Sequence, residues 1–94
     1  MALAREQAET VAAEALAWIA GSGDLLDVFM GSTGIGVDDL RAAADTPEVL
    51  AAALDFLMQD DAWVTGFCDA AGHAYDLPAR ARAALPGGVQ VHWT

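Results

Sequence analysis

One thiol, two imidazoles and fourteen carboxylates are the groups in this 94-residue chain that could hold a metal or move a proton. Cys68 and His73 stand five residues apart, and His92 is the other imidazole. A zinc site needs four Cys, His or carboxylate ligands in a tetrahedral array, and no motif completes one around these three. Asp38-Asp39 and Asp60-Asp61 are adjacent pairs. Calcium demands a denser loop of oxygen ligands, such as the EF-hand spacing. Paired aspartates have a simpler use at a helix start, where they accept backbone N–H bonds and meet the positive end of the helix. No metal is expected.

Nucleophilic catalysis needs a nucleophile, a base and a group that orients the base. Ser22 and Ser32 fall in glycine-containing stretches, and Gly31-Ser32-Thr33-Gly34 could hold an activated serine. The strand–turn–helix setting of a nucleophile elbow is missing, so the stretch reads as a helix–helix connection. Cys68 lies on a half-apolar helix and reads as a buried, inert thiol. Gly34-Ile35-Gly36 is too short for a dinucleotide fingerprint, and no βαβ unit precedes it. Small acidic carriers need an Asp-Ser-Leu site for a phosphopantetheine arm, and that tripeptide does not occur. An enzyme using Asp60, Asp61 and His73 is the remaining catalytic alternative. The expectation is a protein without catalytic machinery and without a cofactor.

The charge balance narrows the partners. Four arginines face fourteen acidic residues, for a formal net charge of −10. Such a field repels a phosphate backbone and anionic lipid, so neither nucleic acid nor membrane is expected as a partner. At 55% hydrophobic the chain is too apolar to stay disordered. Residues 1–20 carry Arg5, Glu6, Glu9 and Glu14 where a signal peptide needs an apolar run. A lone cysteine fits a reducing compartment. A cytoplasmic protein is expected.

The elements that position these groups are helical. From Leu3 to Ala20, Ala4, Ala8, Val11, Ala12, Ala15, Leu16, Trp18 and Ile19 recur at helical spacing, with Gly21 as a left-handed stop. Asp24 is placed to cap a second helix carrying Leu25, Leu26, Val28, Phe29 and Met30, closed by Gly31. A short helix then opens at Val37 or Asp38 and runs to Ala44. Thr46-Pro47 starts a fourth helix that reaches about Gln59; its wide apolar arc marks it as central. Asp60 and Asp61 cap a fifth, ended by Gly72, and Asp76 caps a sixth that ends at Leu85 before Pro86-Gly87-Gly88.

Shifting the chain by 38 residues lays one half on the other without a gap. The run from Val11 to Ile19 falls on the run from Val49 to Leu57. Leu25 and Leu26 fall on Trp63 and Val64, Phe29 on Phe67, Gly34 on Gly72, and Asp38 on Asp76. Neither half can bury its apolar stripe alone, and two stacked halves can. The expected fold is all-α: one compact bundle of five to six helices over residues 1–88, built of two similar units. Residues 89–94 read as an extended arm.

Surface binding is what these parts leave. The acidic face could steer a basic partner. Trp18, Trp63 and Tyr75 are aromatic residues that can anchor an interface or fill a core. His92 and Trp93 close the arm after Gly87-Gly88, and an indole left in water wastes its burial energy. Trp93 either folds into a groove of its own domain or docks on a protein partner or a second copy. The leading functional expectation is thus an acidic, cytoplasmic protein-interaction module, with Trp93, His92, Tyr75, Trp63 and Trp18 as candidate contacts. The alternative is a domain that binds a small apolar ligand between its units, lined by Trp18, Phe29, Trp63 and Phe67.

Three stretches also carry a resemblance. They are Leu54-Asp55-Phe56-Leu57 followed by Asp60-Asp61-Ala62-Trp63, Phe67 and Gly72; then Ala83-Ala84-Leu85-Pro86-Gly87-Gly88; and last His92-Trp93-Thr94. Together they resemble a family of short alphaproteobacterial proteins catalogued only as a domain of unknown function, and the likeness extends from Ala8 onward. The resemblance implies an all-α domain and a bacterial cytoplasm, and it brings no activity, cofactor or site residue.

Overall fold

The computed structural model describes residues 3–85, and within them six α-helices follow one another with no strand. They are α1 (Arg5–Ala20), α2 (Leu25–Thr33), α3 (Val37–Ala43), α4 (Pro47–Leu57), α5 (Asp61–Ala71) and α6 (Leu77–Ala84). The arm expected over residues 89–94, with His92 and Trp93, lies outside the described residues, as does the Pro86-Gly87-Gly88 stop.

α4 is the most buried element, as its composition requires. Seven of its eleven residues are buried, among them Leu50, Leu54, Phe56 and Leu57. Its start follows local chemistry: Thr46 has extended backbone, its hydroxyl accepts the Val49 N–H, and Pro47 fills the first turn, where no donor is needed. α1 packs along α4 and α6 through a stripe of small residues, Ala8, Ala12 and Ala15, extended by Val11 and Ile19. Alanine at these positions lets the helix axes approach closely. Two clusters make up the core. The larger joins α1, α4, α5 and α6 around Leu54, Leu57 and Phe67. The smaller gathers Ile19, Phe29, Ala53 and Phe56.

The repeat survives into three dimensions. At a shift of 38, α1, α2 and α3 fall on α4, α5 and α6 in order. Equivalent core positions share burial: Val11 and Val49 are each 6% exposed, and Phe29 and Phe67 are 0% and 1% exposed. Gly34 and Gly72 both end their helices at φ 77°, in the left-handed region.

Several helix ends differ from expectation. Gly21 stops α1 at φ −90°, and the left-handed residue of that turn is Gly23 at φ 61°. α2 runs through Gly31 to Thr33, because the Thr33 hydroxyl donates to the Phe29 carbonyl at 2.8 Å and Gly34 supplies the positive φ. Ser32 therefore lies inside α2, not in a loop. α4 stops at Leu57, two residues short of Gln59. Asp60 caps α5 as expected, accepting the Ala62 N–H at 2.8 Å. Asp24 and Asp76 precede their helices but make no capping bond. Their backbones are already α-helical, whereas a capping side chain works from an extended residue.

Candidate functional site

Of the sequence-selected aromatics, Trp18, Trp63 and Tyr75 lie among the described residues, and Trp93 lies outside them. Trp18 is half-buried; its ring meets Phe67 edge-on at 6.2 Å and lies so close to Gly66 that a Cβ there would stand 3.1 Å from it. Trp63 is also half-buried and stacks on Phe56 at 4.7 Å. Phe29 packs edge-on against Phe56 at 5.3 Å. The four residues expected to line a ligand cavity between the units thus pack into the core clusters and their flanks. Tyr75 is 58% exposed, and its hydroxyl donates to Asp69 at 2.7 Å. That bond and the Asp69 charge raise its pKa, since both favour the protonated phenol.

Several of the groups with catalytic potential are engaged by neighbours. Cys68 is buried, and its thiol donates to the Ala74 carbonyl at 3.4 Å. Burial, and then the charges of Asp69 and Asp76, push the thiol pKa up, which disfavours the nucleophilic thiolate. The Nε2 of His73 lies 2.7 Å from Oε1 of Glu14, and its ring packs against Phe67. This contact ties the turn before α6 to α1. Asp60 is occupied as a helix cap. Ser22 donates to the Trp18 carbonyl. Arg82 donates from Nε to Asp55 at 2.7 Å, while its Nη1 is buried without a partner. Among the described residues no three of His, Cys, Asp and Glu stand close enough together to hold a metal ion. No helix among them is long and apolar enough to cross a membrane.

A concave feature among the described residues lies elsewhere, between α1 and α3. It is an open groove of about 860 Å³. Ala13, Leu16, Ala17 and Ala20 of α1 form one wall, and Val37 and Leu40 of α3 form the other, with Leu26 and Leu50 contributing from α2 and α4. Glu6, Glu9, Arg41 and Asp45 add charge to this apolar lining. The groove has a simple cause. The small side chains of Ala13, Ala17 and Ala20 leave space on the outer side of α1, and α3 buries none of its residues fully, its Leu40 resting half-buried against the smaller cluster. Both ends of α3 are nevertheless tied. Gly34 turns the chain out of α2, and the Thr46 hydroxyl donates to the Ala43 carbonyl at 2.7 Å before α4 begins.

Reading the sequence from its chemistry-bearing residues missed this groove, because its lining is mostly alanine and leucine. A signal was present. Ala13, Leu16, Ala17 and Ala20 form a second helical stripe on α1, beside the core stripe, and one helix with two stripes has two neighbours.

Comparison with known proteins adds a family and no chemistry. No curated protein and no solved structure matches the chain. The model of one family, described as a protein of unknown function (DUF3572), matches residues 5–88. That span covers all six helices, and the chain belongs to the DUF3572 family.

Proposed function

We propose that this chain is a non-enzymatic protein-interaction module and that the groove between α1 and α3 receives an apolar segment of a protein partner. The observation that carries this reading is the groove itself: an open, apolar lining held between two anchored helices. Openness suits a segment of another chain, which can lie along the groove with its backbone in water. The acidic groups on the groove, in a chain of net charge −10, favour a partner with basic residues flanking its apolar anchors. The same charge opposes a second copy of this chain. Among the described residues the thiol and imidazole that stand nearest in sequence bond to different partners.

The test is capture from the lysate of the source cells, with the wild-type chain and Ala17→Arg compared side by side. Ala17 is exposed on the groove wall, so the arginine fills the groove without entering the core. A protein retained by the wild type and lost by Ala17→Arg, with helical content unchanged, is the expected result. Equal retention by both chains, or no retained protein, removes the reading. A small apolar molecule in the same groove is the second reading, favoured by the volume, which falls in the roughly 300–1,000 Å³ range of ligand sites. A melting temperature raised by such a molecule in the wild type and not in Ala17→Arg distinguishes it.

A further inference from the structure

The groove has a candidate occupant in its own chain. Every one of the fourteen acidic residues lies at or before Asp76. Residues 77–94 carry Arg80, Arg82 and His92 and no acidic side chain. Arg80 and Arg82 belong to α6, where Arg82 pairs with Asp55, and residues 89–94, with His92 and no acidic side chain, add no carboxylate side chain to those of Glu6, Glu9 and Asp45. Within that last stretch, Val89, Val91 and Trp93 alternate with Gln90 and His92. In an extended segment, alternate residues share one face at a spacing of about 6.6 Å, which presents three apolar side chains in a row with His92 on the opposite face.

Reach permits the match. Leu85 is buried in the same core cluster as Leu50, and Leu50 also lines the groove. The eight residues that follow Leu85, through Trp93, can span up to about 28 Å. The described part of the molecule measures 35 × 29 × 25 Å, so that span crosses most of it. The groove offers an apolar wall of small residues, Ala13 and Ala17, opposite Leu40, and an indole is the largest apolar group available to fill such a space.

We propose that residues 89–94 lie in the groove of their own chain, with the Trp93 indole as the anchor between α1 and α3. This rests on the reading of the groove as a docking surface for an apolar segment, and it adds regulation: the chain's own arm occupies the site until a partner displaces it. Binding at one concentration of partner then depends on the arm, and Trp93→Ala strengthens capture.

The experiment uses the full chain labelled with 5-fluorotryptophan. Three fluorine signals are expected, for Trp18, Trp63 and Trp93, and Trp93→Phe assigns the third. The Trp93 signal should show a small solvent isotope shift in water against deuterium oxide, and dilution should leave it unchanged. Ala17→Arg, and separately Val37→Lys on the facing wall, should move that signal to the solvent-exposed value while those of Trp18 and Trp63 stay in place. The latter two signals report that the core has kept its fold, because both rings pack against it. A fully exposed Trp93 in the wild type overturns the proposal, as does one that neither groove substitution moves. Protection lost on dilution also overturns it, by assigning the arm to a second copy. An exposed Trp93 with groove-dependent capture intact leaves the interaction reading standing. A sheltered Trp93 with capture indifferent to the groove removes that reading and keeps the arm in its place.

Discussion

α3 and α6 stand at equivalent positions in the two halves of the chain, yet they pack in opposite ways. α6 lies against α1 and α4, buries Pro78 and Ala81, and is followed by the buried Leu85. α3 buries no residue fully, and its Leu40, the counterpart of Pro78, rests half-buried against the smaller cluster and lines the groove. The Phe29 and Phe67 anchors do not differ in this way, since both rings are sequestered. The contrast teaches where a repeat can diverge. The long helices bury most of the apolar area, so their faces are constrained. A terminal short helix adds little to that area and can close the core in one half while opening a surface in the other.

The sharpest way to break the equivalence is to empty its anchors. Phe67→Ala and Phe29→Ala should each cost about 3–5 kcal/mol in denaturant unfolding, the usual loss for a fully buried phenyl ring. Phe67 belongs to the larger cluster and Phe29 to the smaller. If Phe29→Ala costs less than about 1 kcal/mol, far below that range, the smaller cluster is not an anchor and the halves are unequal at their cores.

How much of this could be read beforehand depends on the range over which each feature is determined. Thr46-Pro47, Asp60 and Gly72 were legible because a cap needs only its own residue and the two or three that follow. Gly31 misled for a related reason: a glycine permits a helix to end, but Thr33 and Gly34 supply the bonds and the φ that end this one. Asp24 and Asp76 carry the right side chain on the wrong backbone conformation. The fold class followed from periodicity. The groove did not, because composition cannot tell which of two apolar stripes on α1 is covered and which stays open. Trp18 and Trp63 stood out by type, yet their rings rest on Phe67 and Phe56.

The difference between the short helices should appear directly when each is enlarged. Ala81 is fully buried between α6 and its neighbours, and its equivalent, Ala43, is half-buried at the end of α3. Ala81→Leu overpacks a closed contact and should cost about 1–3 kcal/mol. Ala43→Leu should stay near the roughly 0.5 kcal/mol typical of surface changes. Matching losses for the two variants in thermal or denaturant unfolding would show that α3 is as tightly seated as α6.

The glycine turns offer the converse test, in which the halves should respond alike. Gly34 and Gly72 share φ 77°, and a Cβ placed on either meets no atom within 4 Å. The cost of Gly34→Ala and of Gly72→Ala therefore comes from the backbone alone, about 1–2 kcal/mol for an L-residue in the left-handed region. Equal shifts in the unfolding midpoint support the repeat at its turns. A loss at Gly72 that is absent at Gly34 would locate real strain in one half only.

The smallest expected effect concerns the junction that holds the groove wall. The Thr46 hydroxyl donates to the Ala43 carbonyl at the end of α3 and accepts the Val49 N–H at the start of α4. Its accepting bond is long, at 3.4 Å, so Thr46→Ala should cost about 1 kcal/mol, within the range of ordinary caps. Asp76 precedes α6, at the junction equivalent to the one before α3, without a capping bond, and Asp76→Ala should change stability by no more than about 0.5 kcal/mol. The two variants differ in what else they disturb. Losing the Thr46 hydroxyl leaves the Ala43 carbonyl with the Thr46 N–H alone and loosens α3 at its C-terminal end, so amide chemical shifts around Leu40 and Arg41 should move in Thr46→Ala. They should stay fixed in Asp76→Ala, because α6 is held by its buried face and by the His73–Glu14 contact just ahead of it. If Thr46→Ala lowers stability and leaves Leu40 unmoved, the wall of the groove is set by the Gly34 turn rather than by the threonine.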